Sequence, residues 1–126
     1  MNIVISNRSD QPIYEQIKEQ IRSAIIRDEI AENEILPSIR ALASDLRVSV
    51  ITTKRAYDEL EIDGYIVTLP GKGCFVLPKN QEQIREQKLR EIEQNLSDAI
   101  TNAKLLHLTG DELTGMLQVL LEEEKN

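Results

Sequence analysis

Between Ser38 and Arg55 the chain carries four bases, Arg40, Arg47, Lys54 and Arg55, and a single acid, Asp45, which leaves a local charge of +3. The whole chain has a formal net charge of -7. A cluster of guanidinium and ammonium groups is chemistry for a polyanion, because each group can neutralise a phosphate and release its condensed counterion. From Pro78 onward the balance reverses, with 6 Lys and Arg against 10 Asp and Glu. The acid is concentrated where such a partner need not be touched. No other chemistry shows a matching pattern. The carboxylates have no catalytic spacing, and there is no nucleophile–base pair, phosphate-cradling loop or metal motif, so neither enzyme activity nor a cofactor is expected. His107 is the single histidine and has no cysteine near it, which argues against a metal.

The elements that must position these bases can be read from spacing. With 126 residues, 40% hydrophobic and 29% charged, the chain has room for one ordinary domain and an appendage. Ile3, Val4 and Ile5 predict a short strand. Ser9 to Pro12 predict a helix start, and Ile13, Ile17, Ile21 and Ile25 then recur at four-residue spacing along an amphipathic helix of about four turns, with Tyr14 and Ala24 widening the stripe. Pro37 and the cap Ser38 predict a short helix from Ile39 to Leu46. Ser49 predicts the cap of a second, from Val50 to Asp63, that turns Thr53, Ala56, Tyr57 and Leu60 inward and Ile51, Thr52, Lys54, Arg55 and Asp58 outward. Gly64 is its expected stop. Tyr65 to Leu69 and Cys74 to Leu77 predict a hairpin around Pro70 to Gly73. Ile84, Leu89, Ile92, Leu96, Ala99 or Ile100, and Ala103 mark one long helix, and Thr109 with Glu112 forms the capping box of a last one.

Helix, short helix, tight turn, second helix, glycine and hairpin make the order of a winged helix-turn-helix, mainly α with a small β-hairpin. The major groove of DNA admits one α-helix, so the outward face of the second helix is the natural reader. At these residues the chain resembles the GntR superfamily of bacterial repressors. The matching string runs from Leu36-Pro37-Ser38-Ile39-Arg40 through Leu42-Ala43, Val48-Ser49, Thr52, Arg55-Ala56-Tyr57, Leu60-Glu61 and Gly64 to Gly71-Lys72-Gly73 and Phe75-Val76. The resemblance implies that Arg40 meets the DNA backbone, with Ser49 and Thr52 contributing at the start of the recognition helix. Lys54 stands where such proteins commonly carry an arginine, and Arg55 adjoins it. Gly71, Lys72 and Gly73 would form a wing tip that approaches the minor groove. Two positions depart from the family pattern: Val50 stands where members often have a base, and Arg47 where they often have a glycine in the turn. Val50 offers only apolar contact, such as with a thymine methyl.

About fifty residues follow the hairpin, which is similar to the YtrA-like branch of that superfamily, whose short helical tail serves dimerisation. The expected division is 1–77 for the winged helix-turn-helix and 78–126 for a two-helix tail. The tail's apolar stripes suit an intramolecular core, a dimer interface or a small-molecule pocket, and dimerisation is favoured because two helices bury too little surface alone. The expected partners are a double-stranded, pseudo-palindromic DNA operator, a second copy of the chain and an unidentified small-molecule effector. The competing reading is a winged-helix protein-interaction module that does not bind DNA, as the negative total charge would allow. No secretory signal or apolar run of about 20 residues is visible, so no membrane partner is expected. The unpaired Cys74 suits a reducing cytoplasm.

Overall fold

The computed structural model describes residues 1–125, which fall into two compact units, one ending at Asn80 and one beginning at Gln81. In the first, α1 (Ile13–Ile26), α2 (Ile39–Leu46) and α3 (Val50–Ile62) are followed by β1 (Ile66–Leu69) and β2 (Gly73–Val76). Helix α3 packs on α1 and α2, and β1 packs on α3. The core is built from the inner stripes of these elements: Ile17, Ile21 and Ile25 of α1, Leu42 and Ala43 of α2, Thr53, Ala56, Tyr57 and Leu60 of α3, and Ile66 and Val76 of the hairpin. Burying a large aliphatic side chain contributes roughly 1.5–3 kcal/mol, so this shared stripe holds the three helices together.

The helix starts follow the capping chemistry. Ser38 Oγ accepts from the Ala41 N–H at 3.1 Å and Ser49 Oγ from the Thr52 N–H at 3.0 Å. The ends of four helices follow one pattern that is less visible in the sequence. Each closes with a residue in the left-handed region and a pair of backbone hydrogen bonds that satisfies its last carbonyls. At the end of α2, Arg47 N–H donates to Ser44 O and Val48 N–H to Ala43 O. Asp28 after α1, Gly64 after α3 and His107 after the first tail helix occupy the same place, with φ of 60, 85 and 57°. Only one of the four is glycine.

Strands β1 and β2 pair antiparallel, Ile66 with Val76 through Leu69 with Gly73. Lys72 N–H donates to Leu69 O at 2.9 Å across a turn with Pro70 second and Gly71 third, where Gly71 has φ 76°, as a type II turn requires. The hairpin is not alone. Residues 33–36 lie along the other edge of β2, with hydrogen bonds Asn33 N–H to Val76 O, Val76 N–H to Glu34 O and Leu36 N–H to Cys74 O. Ile35 thereby bridges Phe75 and its Cδ1 lies 2.9 Å from where a side chain on Gly73 would begin.

The expected strand at Ile3–Ile5 is corrected: that segment is extended but joins no sheet. Its backbone groups are met by two side chains of α1. Gln20 accepts from Val4 N–H and donates to Val4 O at 2.9 and 2.7 Å, and Gln16 does the same for Ser6 at 2.8 and 3.0 Å. Four residues of helix rise about 6 Å and two residues of extended chain about 6.6 Å, so the two amides match alternate residues.

In the second unit, α4 (Gln81–Leu105) and α5 (Gly110–Glu124) are joined by a short turn, and Thr109 and Glu112 form the capping box in full. Ala103 is the only buried residue of α4, and α5 has none among the described residues. Leu96, Ile100, Leu113, Met116, Leu117 and Leu120 instead line an open apolar groove of about 350 Å³. No helix of the described residues is long and apolar enough to cross a membrane.

Candidate nucleic-acid interface

Helix α2, the turn at Arg47 and helix α3 form a corner whose angle is fixed from inside. The Tyr57 hydroxyl, only 3% of the residue being exposed, donates to Pro37 O at 2.7 Å and so ties α3 to the start of α2. Burial pushes the Tyr57 phenol far above its ordinary range, so it remains a donor throughout. Thr53, fully buried, donates from Oγ1 to Ser49 O at 3.1 Å and steadies the first turn of α3.

The side chains singled out in the sequence separate into two groups. Arg40, Arg47 and Lys72 are exposed and make no ion pair among the described residues. Lys54 is exposed and reaches Asp58 at 2.7 Å across one turn of α3. Such an exposed pair contributes about 0.3–0.5 kcal/mol, so Lys54 is readily exchanged onto another anion. Arg55 is held more firmly: its Nε donates to Glu59 at 3.2 Å and its guanidinium lies 3.7 Å from the centre of the Tyr14 ring. Glu59 also accepts from Lys18, whose ammonium meets Asp63 at 3.1 Å, so Arg55 belongs to a polar strut between α1 and α3. Ser49 and Thr52 serve each other first, with the Ser49 hydroxyl donating to Thr52 Oγ1 at 2.7 Å. The Thr52 hydroxyl, which accepts in that bond, keeps its own hydrogen to donate.

In the wing, Gly71 has open space around it, whereas Gly73 has φ 114° and Ile35 against it, so glycine at 73 has a reason internal to the fold. Cys74 is buried beneath the wing. Burial raises its thiol above the ordinary range and outweighs the hydrogen bond from Thr68 that lowers it, which disfavours thiolate reactivity. His107 is occupied as the left-handed cap of α4, and among the described residues no three His, Cys, Asp or Glu gather to hold a metal. One feature escaped the sequence reading, the strut through Lys18 and Glu59, whose residues are distant in sequence. Ile51, expected on the outward face, is 82% exposed there.

Comparison with known proteins agrees with this geometry. Residues 13–76 match the model of the bacterial regulatory proteins of the gntR family. The HTH-type transcriptional repressor YtrA of Bacillus subtilis (strain 168) is 35% identical over 111 residues, covering 88% of this chain and 83% of that protein. Among solved structures, a transcriptional antiterminator from Listeria monocytogenes EGD-e superposes with a TM-score of 0.74 and 30% identity, covering 100% of this chain and 91% of the other. The DNA-binding domain AraR(DBD), in complex with operator ORE1, gives a TM-score of 0.51 and 28% identity, covering 60% of this chain and 93% of the other. The corner of α2 and α3, the hairpin beside it and the short helical tail thus have one common source: the chain belongs to the gntR family of bacterial regulatory proteins, in its YtrA-like branch.

Proposed function

We propose that this DNA-binding regulator is a repressor that occupies a pseudo-palindromic operator as a homodimer. The observation that supports it most is the exposed start of α3 with its exchangeable Lys54, together with Arg40 and Arg47, which are exposed and make no ion pair among the described residues. In this reading Arg40, Arg47 and Lys54 neutralise phosphates along the major groove, Thr52 donates its hydroxyl beside the Ser49 cap, and Lys72 follows the minor groove from a wing tip that Gly71 keeps narrow. Gly73 acts by shaping the wing, and Arg55 by holding α3 on α1. Residues 1–77 form the reading module and 78–126 the dimerising tail, whose apolar groove and exposed Leu89, Ile92, Leu117, Leu120 and Leu121 suit a second copy of the chain. A small-molecule effector would act by changing the spacing of the two reading modules. The operator places this work in the cytoplasm.

Selection of bound duplexes from a random DNA pool tests the reading and yields the operator. The expected product is an inverted repeat, and affinity for it should fall steeply with salt, each neutralised phosphate contributing about -0.9 to the slope of log affinity against log salt. A flat salt dependence, or no selected duplex, would return the winged-helix interaction module to first place.

A further inference from the structure

The outermost line of α3 holds an apolar side chain where a reading helix would hold a polar one. At 100° per residue, the buried Thr53, Ala56, Tyr57 and Leu60 define one side of the helix, and Ile51 lies roughly opposite their centre. It is 82% exposed, and Val50 before it is 47% exposed. A lone exposed isoleucine elsewhere on a surface would need no explanation. Here its neighbours on the same face are already engaged, Lys54 with Asp58 and Arg55 with Glu59 and Tyr14. The first turn therefore leads with two aliphatic side chains and a hydroxyl, those of Val50, Ile51 and Thr52.

A reading helix brings the residues of its first turn closest to the base edges. In the major groove the one apolar group that distinguishes a base pair is the C5-methyl of thymine. We propose that Ile51, with Val50 at its side, reads thymine methyls, so that each half-site carries a T·A pair at the centre of the contact. Neither side chain can accept or donate a hydrogen bond. Specificity at that position is therefore apolar, and it is lost when the methyl alone is removed. This inference rests on α3 being the recognition helix.

The test uses the full chain and the duplexes selected from a random pool, in which each thymine in turn is replaced by deoxyuridine. That change removes the methyl and leaves the hydrogen-bonding edge intact. One or two positions per half-site should lose about three- to fivefold in affinity, the scale of one buried methyl group. Ile51→Ala should bind the thymine and deoxyuridine duplexes alike while melting at the parent's temperature, because the side chain it removes is exposed. Equal binding of all deoxyuridine duplexes by the parent would overturn the proposal and leave DNA binding standing. Full methyl sensitivity in Ile51→Ala would move the contact to another residue and overturn it as well. Recovery of no duplex from the pool would overturn both this inference and the reading beneath it.

Discussion

At the scale of single residues, two neighbouring bases on α3 have different work. Lys54 is held by one exposed ion pair, whereas Arg55 lies over the Tyr14 ring and pairs with Glu59. Lys54→Ala and Arg40→Ala should each weaken operator binding with melting temperature unchanged. Arg55→Ala should lower stability by about 1 kcal/mol, the scale of an exposed cation–π contact and its ion pair. Parallel thermal melts and gel-shift titrations separate the two. Arg47 should combine both kinds of effect. Its φ of 56° and ψ of 45° place a branchless but Cβ-bearing residue in the left-handed region, at a cost of roughly 1–2 kcal/mol relative to glycine. Arg47→Gly should therefore raise the melting temperature and weaken DNA binding, and the same two measurements check it.

At the scale of elements, the polar strut between α1 and α3 sets an acid limit on the fold. Burial alone would raise the Glu59 carboxyl, but the hydrogen bonds from Lys18 and Arg55 outweigh it and hold the group below its ordinary value. A carboxyl depressed in the folded state contributes stability above its unfolded pKa, near 4.5, and loses that contribution as pH falls through the lower folded value. Glu59→Gln should thus be less stable than the parent at neutral pH, with the gap closing as pH falls below about 4.5 in urea titrations. The helices themselves were legible because their starts carry Ser38, Ser49 and Thr109 and their inner faces keep helical spacing. The stops were less so, since Asp28, Arg47 and His107 hold the conformation that glycine advertises. Ile3-Val4-Ile5 reads as strand because β-branched residues favour extended chain, and nothing in the local pattern says that glutamine amides supply its partners. The two strands of the hairpin were legible from their turn, but the third segment on β2, 33–36, lies in sequence before α2 and carries no local sign of that pairing. At the interface, the exposed bases were visible as a charge cluster. The separation of Arg55 from Lys54 needed Tyr14 and Glu59, which only folding brings near.

At the scale of the whole molecule, the chain is two units with unequal means of holding themselves together. The first has its own core, and the linking residues belong to it: Lys79 pairs with Asp28 at 2.8 Å and its N–H reaches Glu32. The second leaves most of its large aliphatic side chains exposed. Truncation after Asn80 should therefore give a folded domain that sediments as a monomer and binds the operator much more weakly, because linked reading modules gain from effective concentration. A stable dimer from the truncated chain would place the interface in the first unit. Cutting earlier, after Leu77, should cost some stability as well, since it removes the Lys79 pair.

The glutamine pair on α1 has a consequence for time as well as for shape. Val4 and Ser6 lie outside every helix and strand, yet their amide protons are held by side chains of α1. They should exchange with solvent slowly for residues outside regular structure, and unequally, because Gln16 is buried and also donates to Gln11 O at 2.8 Å, while the bond at Val4 is exposed. The segment is a clasp whose exposed catch, at Val4, opens before the part-buried one at Ser6. Gln20→Ala should speed deuterium uptake at Val4 and leave Ser6 slow, whereas Gln16→Ala should release both.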